Sequence, residues 1–166
     1  MRRKIFFRPE RCMLCQSCVL ACEMESLRVS NPREIPHDKA PLQRMRLTFF
    51  QGTPWVWKCE QCVSAPCVEA CVTGSLVQTE GGAGVFHQRE SCVGCGSCIL
   101  VCPYDALRYD EKEERVSKCN LCPEREIPPC VEACQTEALV FQEITSFVQA
   151  KRKRMISMMG ESHEAT

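Results

Sequence analysis

The stretch Cys92-Val93-Gly94-Cys95-Gly96-Ser97-Cys98-Ile99-Leu100-Val101-Cys102-Pro103 decides the fold. Three cysteines recur at every third position, a fourth follows after three more residues, and a proline closes the run. Thiolates at that spacing wrap one iron-sulfur cube with the first three sulfurs and lend the fourth to a neighbouring cube. Three further groups repeat the plan: Cys12, Cys15, Cys18 and Cys22; Cys59, Cys62, Cys67 and Cys71; Cys119, Cys122, Cys130 and Cys134. The four groups use all sixteen cysteines, so cofactor ligation explains the cysteine content without remainder.

Two other uses of cysteine compete with this one. Zinc accepts four thiolates, and a zinc-stabilised interaction scaffold is the rival reading. Zinc sites, however, usually join two separated CxxC hooks, whereas CxxCxxC with a later Cys-Pro is the ferredoxin arrangement. Disulfides require an oxidising compartment, and the start Met1-Arg2-Arg3-Lys4-Ile5-Phe6-Phe7-Arg8-Pro9 has too short an apolar stretch for an export signal. The expected cofactors are therefore four [4Fe-4S] clusters in close pairs, and the expected location is cytoplasmic. No apolar run is long enough for a transmembrane span.

The groups are related two by two. Cys15-Gln16-Ser17-Cys18-Val19-Leu20-Ala21-Cys22 aligns without a gap on Cys95-Gly96-Ser97-Cys98-Ile99-Leu100-Val101-Cys102. Pro66-Cys67-Val68-Glu69-Ala70-Cys71 recurs as Pro129-Cys130-Val131-Glu132-Ala133-Cys134. The chain is thus a duplicated pair of motifs. Proline suits the first turn of a short helix in each second copy, and cysteines at i and i+4 share its face.

Between and after the groups the chain reads as short strands and turns. Lys4 to Arg8 is strand-like, and Ser17 to Cys22 forms a helix-compatible turn. Residues 23–58 form a proline-marked linker with one strand, Met45 to Phe50. Trp55 and Trp57 flank Val56 ahead of Cys59, and they either cover a cluster and core from water or face a partner. Ser75–Thr79 and Val85–Gln88 bracket the glycine-rich Glu80-Gly81-Gly82-Ala83-Gly84, and Ala106–Tyr109 and Arg115–Lys118 bracket the charged 110–114, giving two hairpins. Ala138 to Phe141 is a last strand. Residues 143–160 carry Ile144, Phe147, Val148, Lys151, Met155, Met158 and Met159 near helical spacing, which predicts an amphipathic C-terminal helix, and 161–166 form a tail. That helix either packs back across the clusters or docks on a partner; its short apolar face disfavours a membrane surface.

Charge and the remaining chemistry narrow the function. Lys+Arg and Asp+Glu stand at 21 each, which points away from nucleic acid. Four thiolate-held clusters would add roughly −8, so the loaded protein is acidic. His37, His87 and His163 are scattered, no phosphate loop is present, and no nucleophile has a companion base, so no catalytic residue is assigned. One-electron relay is the chemistry left.

The four motifs CxxCxxCxxxC, CxxCx4CxxxC, CxxCxxCxxxCP and CxxCx7CxxxC resemble, over Lys4 to Phe141, the four-cluster ferredoxin subunits of anaerobic oxidoreductases. That family serves nickel CO dehydrogenases, formate dehydrogenases and hydrogenlyases, and dimethyl-sulfoxide-reductase-type molybdopterin enzymes. The resemblance implies an α+β fold of tandem bacterial-ferredoxin-like modules, with short helices and β-hairpins around four clusters. It places an outer module at about 1–30 and 110–142 and an inner one at about 50–109, interleaved within 1–142. It assigns Cys12, Cys15, Cys18 and Cys134 to one cluster, and Cys119, Cys122, Cys130 and Cys22 to a second. Cys59, Cys62, Cys67 and Cys102 would hold a third, and Cys92, Cys95, Cys98 and Cys71 a fourth. Spacing alone leaves open the alternative that the first group pairs with the second and the third with the fourth.

The implied role is electron transfer, without a substrate site, between a catalytic partner and a second carrier such as a hydrogenase or flavoprotein. The compact length leans to CO dehydrogenase; a formate dehydrogenase, hydrogenase or molybdopterin reductase complex is the other partner. The chain departs from the family by having Cys-Pro only at Cys102-Pro103, with Glu23, Val72 and Gln135 after the other fourth cysteines. Each restores a backbone N–H near a cluster, so the four potentials are expected to differ.

Overall fold

Two small apolar cores form around the cysteine-bearing segments, and the first and last strands meet at one of them. The computed structural model describes residues 3–36, 44–79 and 84–161. Its strands are β1 (Arg3–Phe7), β2 (Met45–Phe50), β3 (Thr53–Lys58), β4 (Leu76–Gln78), β5 (Val85–His87), β6 (Leu107–Asp110), β7 (Arg115–Lys118) and β8 (Leu139–Glu143). The helices are α1 (Ser17–Leu27), α2 (Pro66–Glu69), α3 (Ser97–Leu100), α4 (Pro129–Glu132) and α5 (Ile144–Glu161). The expected turn Glu80–Ala83, Ala40-Pro41, His37, His163 and the tail beyond residue 161 lie outside the described residues.

The strands pair as four antiparallel ribbons: β1 with β8, β2 with β3, β4 with β5, and β6 with β7. Three are local hairpins. The fourth joins residues far apart, with Arg3 opposite Glu143 and Phe7 opposite Leu139, and Arg8 N–H extends it to the Ala138 carbonyl at 2.8 Å. Alternation sends Ile5 and Leu139 into one core while Phe6 leaves by the other face.

One core gathers Ile5, Val19, Met45, Leu47, Val56 and Leu139 with Cys18 and Cys130. The other gathers Ala65, Leu76, Val85, Leu107 and Val116 with Cys67 and Cys98. Leu76, Leu107 and Val116 are almost wholly buried, and each contributes about 2 kcal/mol. Proline opens α2 and α4 as expected. α1 runs on to Leu27 and stops where Arg28 turns left-handed, its N–H reaching back to the carbonyls of Met24 and Glu25.

Two expectations change. The linker 23–58 holds a hairpin rather than one strand, and its first five residues belong to α1. Pro54 hides β3 in the sequence, yet it is tolerated opposite Phe49 because a two-stranded ribbon is all edge. Gln51 and Gly52 both take positive φ, the geometry of a two-residue hairpin turn. Trp55 and Trp57 do not cover the core: Val56 and Lys58 point inward, while Trp55 is half exposed on the opposite face with Arg46 over the Trp57 ring. Trp57 Nε1 donates to Thr48 Oγ1 at 3.0 Å.

α5 forms where its periodicity places it, and packs back through an aromatic stack and an ion pair. Phe147 stacks on Phe6 at 3.9 Å, Arg8 lies over the Phe147 ring, and Arg154 pairs with Glu10 at 3.1 Å. Met155 and Ile156 remain exposed. Among the described residues no helix is long and apolar enough to cross a membrane.

Candidate iron-sulfur centres

All four cysteine groups share one backbone device. The residue just before the second cysteine is left-handed in every group: Leu14 at φ 60, Gln61 at φ 49, Gly94 at φ 67 and Leu121 at φ 65. Such a turn curls successive N–H groups into a concave nest that favours an anion, as a thiolate-ligated cluster is. Only one of the four is glycine, so the device is not legible as a glycine pattern.

The surroundings of each buried thiol identify its neighbours. Burial pushes the Cys18 thiol up to about 11, and the charges of Cys134, Cys15 and Cys12 add to it. Burial likewise pushes Cys22 to about 12, reinforced first by Cys119 and Cys122. Cys130 is driven above the usual thiol range by burial, then by Cys22, Cys119, Cys122 and Cys18. Burial takes Cys98 to about 11, with Cys71, Cys67 and Cys92 contributing. Burial raises Cys67, with Cys102 and Cys62 adding to it and Lys118 opposing. Cys59 rises to about 11 through burial; Lys118 again opposes, and Cys119 and Cys67 add. Each of these thiols would give up its proton to hold iron, whose positive charge would replace it.

Two recesses lie among these sulfurs. One is walled by Cys71, Cys92, Cys95 and Cys98 together with His87 and Gly94. The other is walled by Cys59, Cys62, Cys67 and Cys102, with Pro103 and Leu107 beside them. A mononuclear zinc would need sulfurs about 2.3 Å from one point. Four sulfurs around a recess fit the larger body of a cluster.

Polar groups finish these walls. Burial disfavours the Cys71 thiolate, but Ser75 Oγ at 3.2 Å, the Leu76 N–H and Thr73 outweigh it and hold the thiol at about 7. Ser17 lowers Cys15, and Ser97, 3.5 Å from Cys95 Sγ, lowers Cys95. The Leu139 N–H reaches Cys134 Sγ at 3.4 Å, so β8 itself donates to a ligand. His87, read from sequence as an ordinary strand residue, lines the first recess. Burial, then Lys118 and Arg89, lower its pKa to about 4, so it stands neutral, and its Nε2 is buried without a hydrogen-bond partner among the described residues. Lys58 and Lys118, two further buried side chains, were also missed; both stand immediately before the first cysteine of related groups, a repeat signal present in the sequence.

These features define a ferredoxin-type iron-sulfur protein. The family described as the 4Fe-4S dicluster domain matches residues 50–144, more than half of the chain, and a 4Fe-4S binding domain matches residues 9–25. The chain belongs to this family of electron-transfer iron-sulfur subunits, and its sixteen cysteines fit four [4Fe-4S] clusters. It is 31% identical to a protein of Rhodospirillum rubrum named iron-sulfur protein, covering 96% of this chain and 92% of that one. It is 32% identical to the putative electron transport protein YsaA of Escherichia coli, covering 93% and 98%. It is 28% identical to the iron-sulfur subunit of the nitrate-inducible formate dehydrogenase of Escherichia coli, covering 92% of this chain and 58% of the relative.

Proposed function

We propose that the chain is a wire of four [4Fe-4S] centres that passes single electrons between a catalytic redox subunit and a second carrier, with no substrate site of its own. Cys12, Cys15 and Cys18 with Cys134 hold the first centre, and Cys119, Cys122 and Cys130 with Cys22 the second. Cys59, Cys62 and Cys67 with Cys102 hold the third, and Cys92, Cys95 and Cys98 with Cys71 the fourth. The pairing draws support from the two recesses, each walled by one such set. It draws more from the action of Cys134 on Cys18 and of Cys119 on Cys22, which an assignment pairing the first group with the second does not explain. The chain reads as two interleaved ferredoxin-like modules, in accord with the β1–β8 ribbon and the two separate cores.

Electrostatic influences between the sets support an order from the first centre to the fourth. Cys67 acts on Cys98, linking the fourth centre to the third. Cys119 acts on Cys59, linking the third to the second, and Cys18 acts on Cys130, linking the second to the first. The observation that carries the reading is that Cys15 and Cys95, the exposed cysteines, belong to the first and fourth centres, the two ends of that order. A bound cluster supplies one-electron chemistry; the protein supplies its thiolates, the nests and the shielding of the middle two.

The catalytic partner is of the formate dehydrogenase or molybdopterin reductase kind, a reading supported by the relative named as a formate dehydrogenase subunit. The relatives described above are not named as CO dehydrogenase subunits. Sixteen cysteines committed to iron suit a reducing, cytoplasmic setting.

Anaerobic reconstitution with iron and sulfide tests the wire. About sixteen irons per chain are expected, with paired spectra of interacting centres in the reduced protein; a colourless zinc protein overturns it. Metal analysis of the native complex tests the partner. Molybdenum or tungsten, with reduction by formate, supports it; nickel, with reduction by CO, replaces it with CO dehydrogenase.

A further inference from the structure

The duplicated motifs each bring a lysine into the interior. Lys58 and Lys118 precede Cys59 and Cys119, and they are only 6% and 4% exposed. A buried ammonium persists only where its charge is answered. For Lys58 the answer is local: Nζ lies 2.5 Å from Glu60 Oε1. The counterpart of Glu60 in the second copy is Asn120, which has no charge and instead accepts the Cys122 N–H at 3.1 Å.

Lys118 therefore stands differently. Its Nζ donates to the carbonyls of Val85 at 2.6 Å and Cys119 at 2.8 Å. Carbonyls satisfy N–H groups but leave the charge, and one of three donors remains over. Among the described residues no carboxylate lies within ion-pairing distance of it. Val85, whose carbonyl it holds, lines the recess walled by Cys59, Cys62, Cys67 and Cys102, so its charge stands beside that one proposed centre. Arg44, which donates to Ser117 Oγ at 3.0 Å beside Lys118, is only half-buried, so water screens it more.

We propose that Lys118 is a built-in counter-charge for the centre held by Cys59, Cys62, Cys67 and Cys102, making it the most easily reduced of the four. The inference rests on the ligand assignment above. When that centre takes one electron from an adjoining centre, which is oxidised by one, no bond or proton need move. A fixed cation in a poorly screened interior favours the more negative, reduced side of that exchange. The paired lysine of the other copy, already neutralised by Glu60, gives no comparable bias.

The test is an anaerobic redox titration of the reconstituted full chain, followed by electron paramagnetic resonance, with iron and sulfide counted first. In Lys118→Met one wave is expected to fall by at least tenfold in its one-electron equilibrium constant, about 59 mV. Lys118→Arg should keep the wild-type value, and Lys58→Met should move no wave by more than about a third of that amount. Asn120→Glu, which installs the carboxylate of the other copy without emptying the buried position, should lower the same wave and decides the matter if Lys118→Met does not fold. The displaced wave should be the one that Cys62→Ser removes or shifts. Four unmoved midpoints in a four-cluster Asn120→Glu protein, or displacement of a different wave, overturns the role of Lys118. Fewer than four clusters in the wild type instead overturns the ligand assignment on which it rests.

Discussion

The loops Cys12–Cys18 and Cys92–Cys98 follow the same backbone path with different residues. Positions two beyond the first cysteine are left-handed in both, Leu14 at φ 60 and Gly94 at φ 67, and so are Gln16 at φ 63 and Gly96 at φ 77. Their surroundings differ. A Cβ at Gly94 would stand 2.1 Å from the Glu114 carbonyl oxygen and 3.2 Å from the Tyr109 ring. The β6–β7 turn lies directly on that loop, fixed by Asp110 accepting the Lys112 and Glu113 N–H groups and by the Arg89–Glu113 ion pair at 2.6 Å. In the first loop Leu14 packs into the β1–β8 core, and Gln16 Nε2 donates to the Leu47 carbonyl at 3.3 Å. One nest is sealed by a neighbour's backbone, the other by its own side chain. The conformation is thus a requirement of the centre, whereas glycine is a requirement of what lies over it.

Substitutions break or sharpen this contrast. Gly94→Ala should have the largest effect, about 3 kcal/mol or more, because backbone must move as well as φ be strained. Chemical denaturation should show the loss, with iron missing from the adjoining centre; a fully loaded, equally stable variant would refute the crowding. Leu14→Ala should cost about 1–2 kcal/mol, since a half-buried leucine leaves a partly collapsible gap. The drop in denaturation midpoint should come without a change in the spectrum of the fourth centre. Gly96→Ala should cost about 1 kcal/mol, the left-handed penalty alone. An added Cβ there meets nothing within 4 Å. A Gly96→Ala loss as large as that of Gly94→Ala would mean strain, and not contact, sets the difference.

The same contrast explains what could be read beforehand. Cysteine spacing announces the cofactors because a cluster dictates ligand intervals directly, and the hairpins at 76–87 and 107–118 follow from alternation around polar turns. The strand Thr53–Lys58 was hidden because Pro54 counts against a strand unless the ribbon is known to be an edge. The left-handed Leu14, Gln61 and Leu121 were hidden because their φ is imposed by the site rather than by residue preference. Outward-facing Trp55 depended on register, since shifting a strand by one residue exchanges its faces. The isolation of Lys118 lay in a single difference, Asn120 against Glu60, whose meaning appears only once both lysines are known to be interior.

The ribbon of β1 and β8 also has a consequence in time. One apolar core draws on residues 65–116, whereas the other needs both Ile5 and Leu139, so a chain emerging from the ribosome can complete the first well before the second. Closing the second requires a loop of more than 130 residues between Phe7 and Leu139, the slow kind of contact. Cys18, Cys22 and Cys12 are therefore made first but enclosed last. Until β8 has been made they are open thiols, so any iron inserted there earlier would sit in an unclosed core.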